Sequence, residues 1–518
     1  MKKIGKVAVC TMAAVMACCG LAACGGGLPE GKTVALDISP FNGGYGIQWL
    51  KNMKAAYEEE HPEVLIRISE DVVRREDQLT EIQSGVSDFD IYFTGFTFHG
   101  ELYKGTKLAD ISDVYEEIGD KLNPAVVNWY EHEGKQYALP WGTGVLGMLY
   151  HKDMFAQNNI EVPRTTNELL AVAEKINTVR GNAGKPYAFS YCLKDNYWDY
   201  FFNPWFCQYE GIQNYENYWN CIGTNGKQYD QTIVAYDGIL RTMEVYEKLL
   251  LSTNNYNHPD SKTATFTNMQ IHFLDGDTAM MPNGDWAVNE LLKSGAYTKE
   301  ETADIAFMRT PIISSIVEKM DLYTHGKKTF YELTSQEQAA YEAKLTAIID
   351  AVDNGTGKPS DVSQKDYDKI VEARSITPTM ACYHNAVIPS ASEDIEEAKK
   401  FLKFMYSDEG LKVYSDSVYA CGLPVQYTKE QVAEIAGDSA LIQTAYEMLD
   451  NAYLTFHTIG KNRVFSQNGL NPTYHNKINW LDSFASANAS TRKSAKVFYQ
   501  ESCTQIIQLW SNFMKGVK

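Results

Sequence analysis

The sequence QYALPWGTGVLGMLYHKDMF, Gln136–Phe155, decides how the rest of the chain can be arranged. Its first residues predict a strand that breaks at Pro140, and Trp141 follows directly. A glycine-spaced apolar run then predicts a second strand up to Tyr150, and the polar residues His151–Asp153 favour the start of a helix. We therefore expect the chain to leave one lobe here and enter a second, with Trp141 in the gap between them.

Three glycines in this stretch, Gly142, Gly144 and Gly147, also spell the G-x-G-x-x-G pattern of a dinucleotide-binding loop. Such a loop needs a strand before it, a helix that opens inside it and an acidic residue about 20 positions further on. Here the apolar run continues past the third glycine, and a helix is expected only from about His151. No helix N-terminus would face a phosphate, so the glycines are better explained as residues that let a strand cross a tight space.

The amino-terminal segment up to Cys24 has the pattern of an export signal. Three lysines within residues 1–6 precede an apolar run over Val7–Ala17, and Leu-Ala-Ala-Cys follows at 21–24. The apolar run is well under the ~20 residues that span a bilayer. The order resembles the lipobox of bacterial lipoproteins, which implies that Cys24 is acylated, for example with palmitate. We expect residues 1–23 to be removed, residues 24–32 to form a tether, and the protein to be lipid-anchored on the outer face of the bacterial cytoplasmic membrane.

The charge of the chain excludes some partners. The formal net charge is −19, and residues 1–23 hold three lysines and no acid, so the mature chain carries −19 − 3 = −22. This charge argues against binding nucleic acid or an anionic membrane surface through a basic face, and it disfavours an anionic ligand, although a local basic pocket could override the global sign.

Motifs that carry catalytic or metal chemistry are missing from the sequence. It contains no H-E-x-x-H, G-x-S-x-G, P-loop or EF-hand pattern, so we expect neither a cofactor nor a metal. Asp275 and Asp277 flank a glycine and could form an acid–base pair, but a polar turn explains them more simply. Six cysteines follow the signal without metal-ligand spacing, and their disulfide state stays open: Cys192, Cys207, Cys221, Cys382, Cys421 and Cys503.

The amino-terminal part alternates strand, helix, strand, helix, strand, which is typical of a parallel α/β sheet. Loops at the carboxyl ends of such strands form the usual binding edge. Phe41, Asn42 and the stretch Thr94–Phe96 follow predicted strands and would lie there. Later segments predict a strand at Ile305–Pro311 that returns to the first lobe, one helix in a charge-rich insertion, a strand over Thr377–Pro389 and a helical carboxyl-terminal part.

Three tryptophans stand beside loop-forming residues at predicted element boundaries: Trp141, Trp205 and Trp286. Large flat side chains at such boundaries suit the weakly polar C–H faces of a sugar ring, whose hydroxyls can be met by Asn, Asp, Glu and Arg. Each could equally pack a domain corner. The sequence alone leaves both interpretations open.

An ordered set of segments resembles a known family. Asp88–Phe93 is followed by ALPWGTGVLGMLYHKDMF, VPRTTNELLAVAEKI, GDTAMMPNGDWAV and IPSASEDIEEAKKFLKFMYSDEG. Together with the lipobox, this order is similar to the extracellular solute-binding lipoproteins of bacterial carbohydrate ABC importers (family 1, maltose-binding-protein-like). The similarity covers most of residues 33–310 and 376–430, and the insertion departs from the smaller members.

The resemblance implies a two-lobed, type II periplasmic-binding-protein-like α/β fold, with crossing hinge strands and an interlobe cleft. The first lobe would comprise 33–139 and 305–405, with the insertion at about 315–375, and the second lobe would comprise 140–304 and 406–518. A monomer would capture a carbohydrate, in particular an oligosaccharide, and present it to the permease subunits without chemistry on the ligand. The implied ligand-binding residues are Trp141, Trp286, Trp205, Phe41, Asn42, Thr94, Phe96, Tyr383, His384 and Trp480.

Two alternatives remain at this point. One is an exported lipoprotein enzyme that acts on glycans, with Asp275, Asp277 or Asp285 as acid and base. The other keeps the fold but binds a peptide or a polyamine, because an acidic chain suits a cation.

Overall fold

The computed structural model describes residues 28–71, 75–95, 107–127, 129–193, 197–456, 464–465, 477–515 and 517. The predicted signal peptide, Cys24 and Phe96 lie outside these residues, and so does the side chain of Trp480. In the described part of the chain, no helix is both long enough and apolar enough to cross a bilayer.

The strands of the described residues form two main open sheets. One has the order β2-β1-β3-β12-β6 and the other β10-β7-β9-β8, while β11 with β13 and β4 with β5 form two small pairs. The bounds are β1 Val34–Ser39, β2 Val64–Ile68, β3 Ile91–Gly95, β4 Glu131–His132, β5 Lys135–Gln136, β6 Leu139–Pro140, β7 Leu146–His151, β8 Tyr187–Phe189, β9 Thr278–Gly284, β10 Ile305–Met308, β11 Ile376–Thr379, β12 His384–Val387 and β13 Tyr453–Phe456.

Helices cover these sheets and make the fold a two-lobed α/β structure. Their bounds are α1 Gln48–Glu60, α2 Arg75–Ser84, α3 Ser112–Ile118, α4 Pro124–Val127, α5 Lys152–Gln157, α6 Thr166–Arg180, α7 Phe202–Glu210, α8 Ile212–Trp219, α9 Asp237–Leu250, α10 Phe266–Leu274, α11 Ala287–Leu292, α12 Ser335–Asp353, α13 Gln364–Ser375, α14 Ile395–Met405, α15 Asp408–Ser417, α16 Lys429–Ala436, α17 Ala440–Leu449, α18 Lys477–Ala485 and α19 Ala495–Phe513.

Short 3₁₀ helices connect several of these elements. They are Tyr197–Phe201, Gln231–Ala235, Ser252–Asn254, Pro259–Lys262, Glu300–Thr302, Ser314–Lys319 and Phe330–Glu332.

The first sheet confirms the parallel arrangement predicted for the amino-terminal strands. β1 runs parallel to β2, with Val34 opposite Val64, and parallel to β3, with Ile38 opposite Ile91. β12 is antiparallel to β3 and places His384 opposite Gly95. The carboxyl ends of β1 and β3 therefore meet at one edge of the sheet, where β12 begins.

The second sheet is built around β7, the crossing strand of the opening stretch. β7 lies between β9 and β10 and is antiparallel to both, with Leu149 opposite Met281 and Tyr150 opposite Ala306. All of its residues are buried. A strand covered on both faces favours a continuous apolar run, which explains why the sequence here does not alternate.

The strand at Ile305–Met308 corrects one expectation. It does not return to the first lobe but pairs with β7 in the second sheet, and the backbone N–H of Phe307 donates to Thr444 Oγ1 of α17 at 2.9 Å. Its apolar side chains fit a strand sandwiched between β7 and a helix. The other lobe boundaries stay a prediction.

Two further segments differ from the expectation. The insertion at 315–375 holds two helices, α12 and α13, and Leu345 and Ile348 of α12 are fully buried against the rest of the core. The single strand expected over Thr377–Pro389 is two strands, β11 and β12, which belong to different sheets. β11 pairs with β13, a strand in the part of the chain that was expected to be helical.

Candidate functional site

Five aromatic side chains meet where the two lobes face each other. Tyr45 and His384 have ring centroids 5.1 Å apart, Trp141 and His384 4.9 Å, and Tyr45 and Trp286 5.9 Å. Phe41 completes the group at 5.7 Å from Trp141. We call these five residues the interlobe cluster. The loop after β1, the end of β6 and β12 contribute from the first sheet, and the end of β9 contributes from the second.

Glycines make the room that these rings occupy. A Cβ atom on Gly44 would lie 2.2 Å from the indole ring of Trp286, and one on Gly284 would lie 2.3 Å from the same ring. A Cβ on Gly95 would similarly lie 2.2 Å from the ring of Phe41. Real atoms cannot approach so closely, so a residue with a side chain at any of these positions would displace the ring.

The glycines of the opening stretch serve the same purpose. Gly142 and Gly144 face the ring of His384, with a potential Cβ contact of 3.3 Å each, and Gly144 has a φ of +61°. A Cβ on Gly147 would come within 2.9 Å of Phe307 on β10. Since β7 continues to His151 before a helix begins, these positions confirm the crossing strand and exclude the nucleotide-binding loop.

Trp141 is held firmly on the side of the first sheet. Its ring stacks on Trp49 of α1 at 5.3 Å with an angle of 17°, and its Nε1–H donates to the carbonyl oxygen of Thr94 at 3.1 Å. The ring centroids of Phe41 and His384 lie 5.7 Å and 4.9 Å from its own. One face of the indole is therefore covered by the lobe itself, and the remaining side is turned to the other rings of the interlobe cluster.

A buried carboxylate links the two lobes beside Trp286. Tyr45 donates its hydroxyl to Asp285 Oδ1 at 2.7 Å, and the backbone N–H of Cys421 donates to Oδ2 at 3.2 Å. Asp285 is fully buried, and burial raises its pKa from 3.8 to about 6, although these hydrogen bonds favour the charged form. The Tyr45 hydroxyl also accepts the backbone N–H of Gly144 at 3.1 Å.

Helix α11, which begins directly after Trp286, makes a second link. Asn289 donates its Nδ2–H to the carbonyl oxygen of Gly44 at 2.6 Å and accepts the backbone N–H of Tyr419 at 3.0 Å. The ammonium group of Lys293 donates to the same Gly44 oxygen at 3.0 Å. The loop after β1 is thus held against the second lobe, and the lobes are in contact across the interlobe cluster.

His384 is an uncharged polar group in this otherwise aromatic environment. It is 5% exposed, and burial lowers its pKa to about 3. Within the part of the chain that the structure describes, its Nδ1 has no hydrogen-bond partner. A buried ring nitrogen without a partner is costly, and separation of the lobes would give it access to water or to a ligand.

Other predicted site residues lie in different surroundings. Trp205 is fully buried in α7, stacks on Phe201 at 5.1 Å and donates its Nε1–H to the Pro311 carbonyl at 3.0 Å. The structure therefore brings Trp141 and Trp286 together and places Trp205 in the core of the second lobe. The remaining positions are as follows: Asn42 is exposed, Thr94 is buried and donates to the carbonyl of Asn385, and Tyr383 is half-buried.

Sequence reasoning missed three polar participants. Tyr45 and Asn289 were not among the predicted site residues, and Asp285 was considered only as a catalytic acid. Tyr45 stands in the same turn-rich loop as Phe41, and Asp285 directly precedes Trp286. These neighbours were the available signal in the sequence. The hydrogen bond between Tyr45 and Asp285, however, joins residues 240 positions apart.

The family model of the bacterial extracellular solute-binding proteins matches residues 43–412, which is more than half of the chain. The chain belongs to this family. The resemblance in the sequence is thereby confirmed, and a member of an extracellular family is an exported protein.

Several solved structures share the fold of this chain. The solute-binding protein is similar to the GacH receptor of Streptomyces glaucescens GLA.O, with 16% identity, 92% of this chain and 99% of that chain covered, and a TM-score of 0.61. It is also similar to RafE in complex with raffinose, with 15% identity, 91% of this chain and 98% of that chain covered, and a TM-score of 0.58. A chitin oligosaccharide binding protein is similar too, with 17% identity, 94% of this chain and 100% of that chain covered, and a TM-score of 0.59. At these identities the likeness shows the two-lobed fold.

A curated relative is an uncharacterized extracellular-binding protein of an ABC transporter from Pyrococcus horikoshii, 25% identical over 149 residues. The match covers 28% of this solute-binding protein and 34% of that relative, so it spans about a third of the relative's length. The family and the similar structures are binding proteins, not enzymes.

Proposed function

We propose that this solute-binding protein captures a carbohydrate, in particular an oligosaccharide, between its lobes and delivers it to the permease subunits of an ABC importer. The observation that carries the proposal is the interlobe cluster, in which Trp141 and Trp286 both contact the rings of Tyr45 and His384 at the junction of the lobes. The similar structures were described with acarbose, with raffinose or as binding a chitin oligosaccharide, which supports the same class of ligand here.

The chemistry of the cluster suits a sugar. The indole rings supply flat apolar surfaces for the C–H faces of pyranose rings. Polar groups stand next to these surfaces and suit hydroxyls at the ring edge: the carboxylate of Asp285, the amide of Asn289 and the ring nitrogen of His384. A site that combines flat apolar faces with a few convergent polar groups is typical of carbohydrate recognition.

Access to the cluster requires the lobes to separate. Trp141 is fully buried and Trp286 is 8% exposed, so a ligand cannot reach either ring in the arrangement described. Opening breaks the bond from Tyr45 to Asp285 and the bonds from Asn289 and Lys293 to Gly44. A ligand favours the state with the lobes in contact only to the extent that it binds both lobes together more strongly than it binds one lobe alone. Closure is therefore a population shift.

The anchoring of the protein is part of the proposal. We infer that Cys24 carries the lipid and that a monomer works at the outer face of the cytoplasmic membrane. Incorporation of labelled palmitate into the wild type, and its loss in Cys24→Ser, is the expected result. Equal labelling of both proteins would contradict it. Co-purification with the permease, saturable by the ligand, would test delivery.

The ligand class can be tested by calorimetric titration with malto-, raffinose-family, chitin and xylan oligosaccharides. We expect one class to bind, and Trp286→Ala to weaken it by about 2 kcal/mol or more, roughly 30-fold, because a buried tryptophan is a typical hot spot. Trp510→Ala is the matched control, since Trp510 is half-buried on α19, outside the interlobe cluster. Its affinity should equal that of the wild type.

Two outcomes would overturn parts of this proposal. Unchanged affinity in Trp286→Ala would remove the site assignment while leaving the ligand class. Binding of peptides or polyamines, with no response to any sugar, would replace the ligand class. New reducing ends after incubation with a glycan would instead indicate an enzyme. Against this, the oxygens of Asp285 accept hydrogen bonds from Tyr45 and Cys421, and Asp277 is paired with Lys185 at 2.6 Å.

A further inference from the structure

Two histidines and an aspartate form a compact group on the second lobe. His258 directly precedes the 3₁₀ helix Pro259–Lys262, which carries Asp260, and His272 lies in the last turn of α10. Each of the three offers one ligand atom, and these atoms lie within 4.8 Å of one another. Among the histidine, cysteine and carboxylate side chains of the described residues, these three have the spacing of a metal site.

The ring of His272 is oriented by an outer partner. Its Nδ1 lies 3.0 Å from Asp277 Oδ2, and Asp277 is itself paired with the ammonium group of Lys185 at 2.6 Å. In the tautomer that donates Nδ1–H to Asp277, the lone pair of Nε2 faces Asp260 Oδ2 at 3.3 Å. A carboxylate that holds the far nitrogen of a histidine is the usual second partner of a metal-binding imidazole.

Two electron pairs that point at each other need something positive between them. The Nε2 lone pair and the Asp260 oxygen are both acceptors in this tautomer, and at 3.3 Å they repel unless a proton or a cation is shared. His258 adds a third donor atom, since its ring centroid lies 4.0 Å from that of His272. Its Nδ1 accepts the backbone N–H of Asp260 at 3.2 Å, a cap that metal binding at that nitrogen would replace.

Solvent can reach the group, so an ion can enter. The side chain of Asp260 is 58% exposed and that of His272 is 26% exposed. A group open on one side leaves positions for water, which completes the coordination of an ion bound by three side chains.

We propose that His258, Asp260 and His272 bind a divalent transition-metal ion. Two imidazole nitrogens and one carboxylate oxygen with open positions suit Zn²⁺, and the same donors also accept Ni²⁺ and Cu²⁺. Ca²⁺ and Mg²⁺ prefer sites made mainly of oxygen ligands, and this set supplies only one side-chain oxygen ligand.

This site is separate from the interlobe cluster. It lies at the start of β9, which begins at Thr278 directly after Asp277, whereas Trp286 follows the other end of that strand. A strand of this length spans roughly 23 Å. Sugar binding and metal binding can therefore fail independently, and loss of one leaves the other testable.

Titration of the purified chain with Zn²⁺ against a chromophoric chelator tests the proposal. We expect one equivalent to bind, and His272→Ala and Asp260→Asn each to weaken binding at least tenfold. Asp277→Ala removes the outer partner of His272 while leaving the three ligands in place, and it should weaken binding by about 10- to 100-fold. His325→Ala is the matched control, because His325 also faces a carboxylate, Glu337 at 3.9 Å, but belongs to no such group among the described residues.

The results also identify how the proposal fails. Wild-type affinity in Asp260→Asn and His272→Ala, or an equal loss in His325→Ala, would mean that scattered surface histidines bind the ion. Asp260 is exposed, so its variant should fold even where a histidine variant does not, and melting curves without metal check this. Stabilisation by Zn²⁺ of the wild type, and not of Asp260→Asn, is the expected companion result.

Discussion

Asp285 makes the stability of this protein depend on pH in a direction opposite to that of most carboxylates. Burial raises its pKa from 3.8 to about 6 in the folded chain. A group whose folded pKa is raised stabilises the fold fully below the unfolded value, and that stabilisation is lost as pH rises through the folded value. The folded chain should therefore gain stability from Asp285 as the pH falls from about 7.5 towards 4.

The size of the effect follows from the two pKa values. Between about pH 7.5 and about pH 5, the folded chain takes up nearly one proton at Asp285 that the unfolded chain does not, which is worth about 1.4 kcal/mol. Other groups also titrate in this range. Asp285→Asn isolates the contribution, because the amide cannot titrate yet keeps an oxygen that can accept from Tyr45 or from the backbone N–H of Cys421.

Urea unfolding of the wild type and of Asp285→Asn, each at about pH 5 and about pH 7.5, gives the four free energies required. The wild type should gain about 1.4 kcal/mol more than the variant when the pH is lowered. Tyr45→Phe sharpens the test: the Tyr45 hydroxyl bond favours the charged carboxylate, so its loss should raise the pKa of Asp285 further and enlarge the gain.

Parallel pH profiles for the wild type and Asp285→Asn would refute this reasoning, since they would mean that Asp285 has the same pKa in both states. A profile in which the wild type loses stability on acidification relative to the variant would reverse the sign and show a stabilised carboxylate. A smaller gain in Tyr45→Phe than in the wild type would show that the hydroxyl does not act on the charged form.

Packing in the core and between the lobes leads to three further predictions. Trp205→Ala should cost about 3–5 kcal/mol of unfolding free energy, measured by urea titration, because it empties a core position. Arg241→Leu should cost about 3–5 kcal/mol by the same assay, since it takes the cation away from the buried carboxylate of Glu318, 2.9 Å away, and leaves that charge only the hydrogen bonds from the Tyr209 hydroxyl and the Phe330 backbone N–H. Gly44→Ala should displace Trp286 and shift the protein towards separated lobes, seen as a larger radius of gyration in X-ray scattering and weaker ligand binding; an unchanged radius and affinity would contradict the contact.

The sequence predicted local features well because their causes are local. The helix that begins after Thr165 forms as expected, and Thr165 accepts the backbone N–H of Glu168 at 3.1 Å. The crossing strand and its glycines were also predictable, because a strand covered on both faces needs an apolar run with room for its neighbours. Each of these signals lies close in the chain to the feature that it specifies.

Partners far along the chain could not be predicted in the same way. Ile305–Met308 was predicted as a strand, but it joins the second sheet by pairing with β7, with Phe307 opposite Leu149. It also contacts α17, whose Thr444 lies 137 positions after Phe307. The same limit explains Trp205. Its neighbours Asn203 and Pro204 resemble a loop boundary, yet they form the first turn of α7, where proline is tolerated, and the ring is covered by Tyr246 and by the Pro311 carbonyl.

The contacts between the lobes divide into two kinds that act against each other. Aromatic burial of Trp141, Trp286 and Tyr45 favours contact. The charged form of Asp285 opposes contact at neutral pH, and so does the Nδ1 of His384, which has no hydrogen-bond partner among the described residues. We infer that contact without a ligand is weakly favoured. A ligand whose hydroxyls donate to the carboxylate and to the ring nitrogen would remove both penalties, while its ring faces would keep the aromatic contacts. Such a ligand gains more from the contacting state than from either lobe alone, which is the condition for ligand-driven closure.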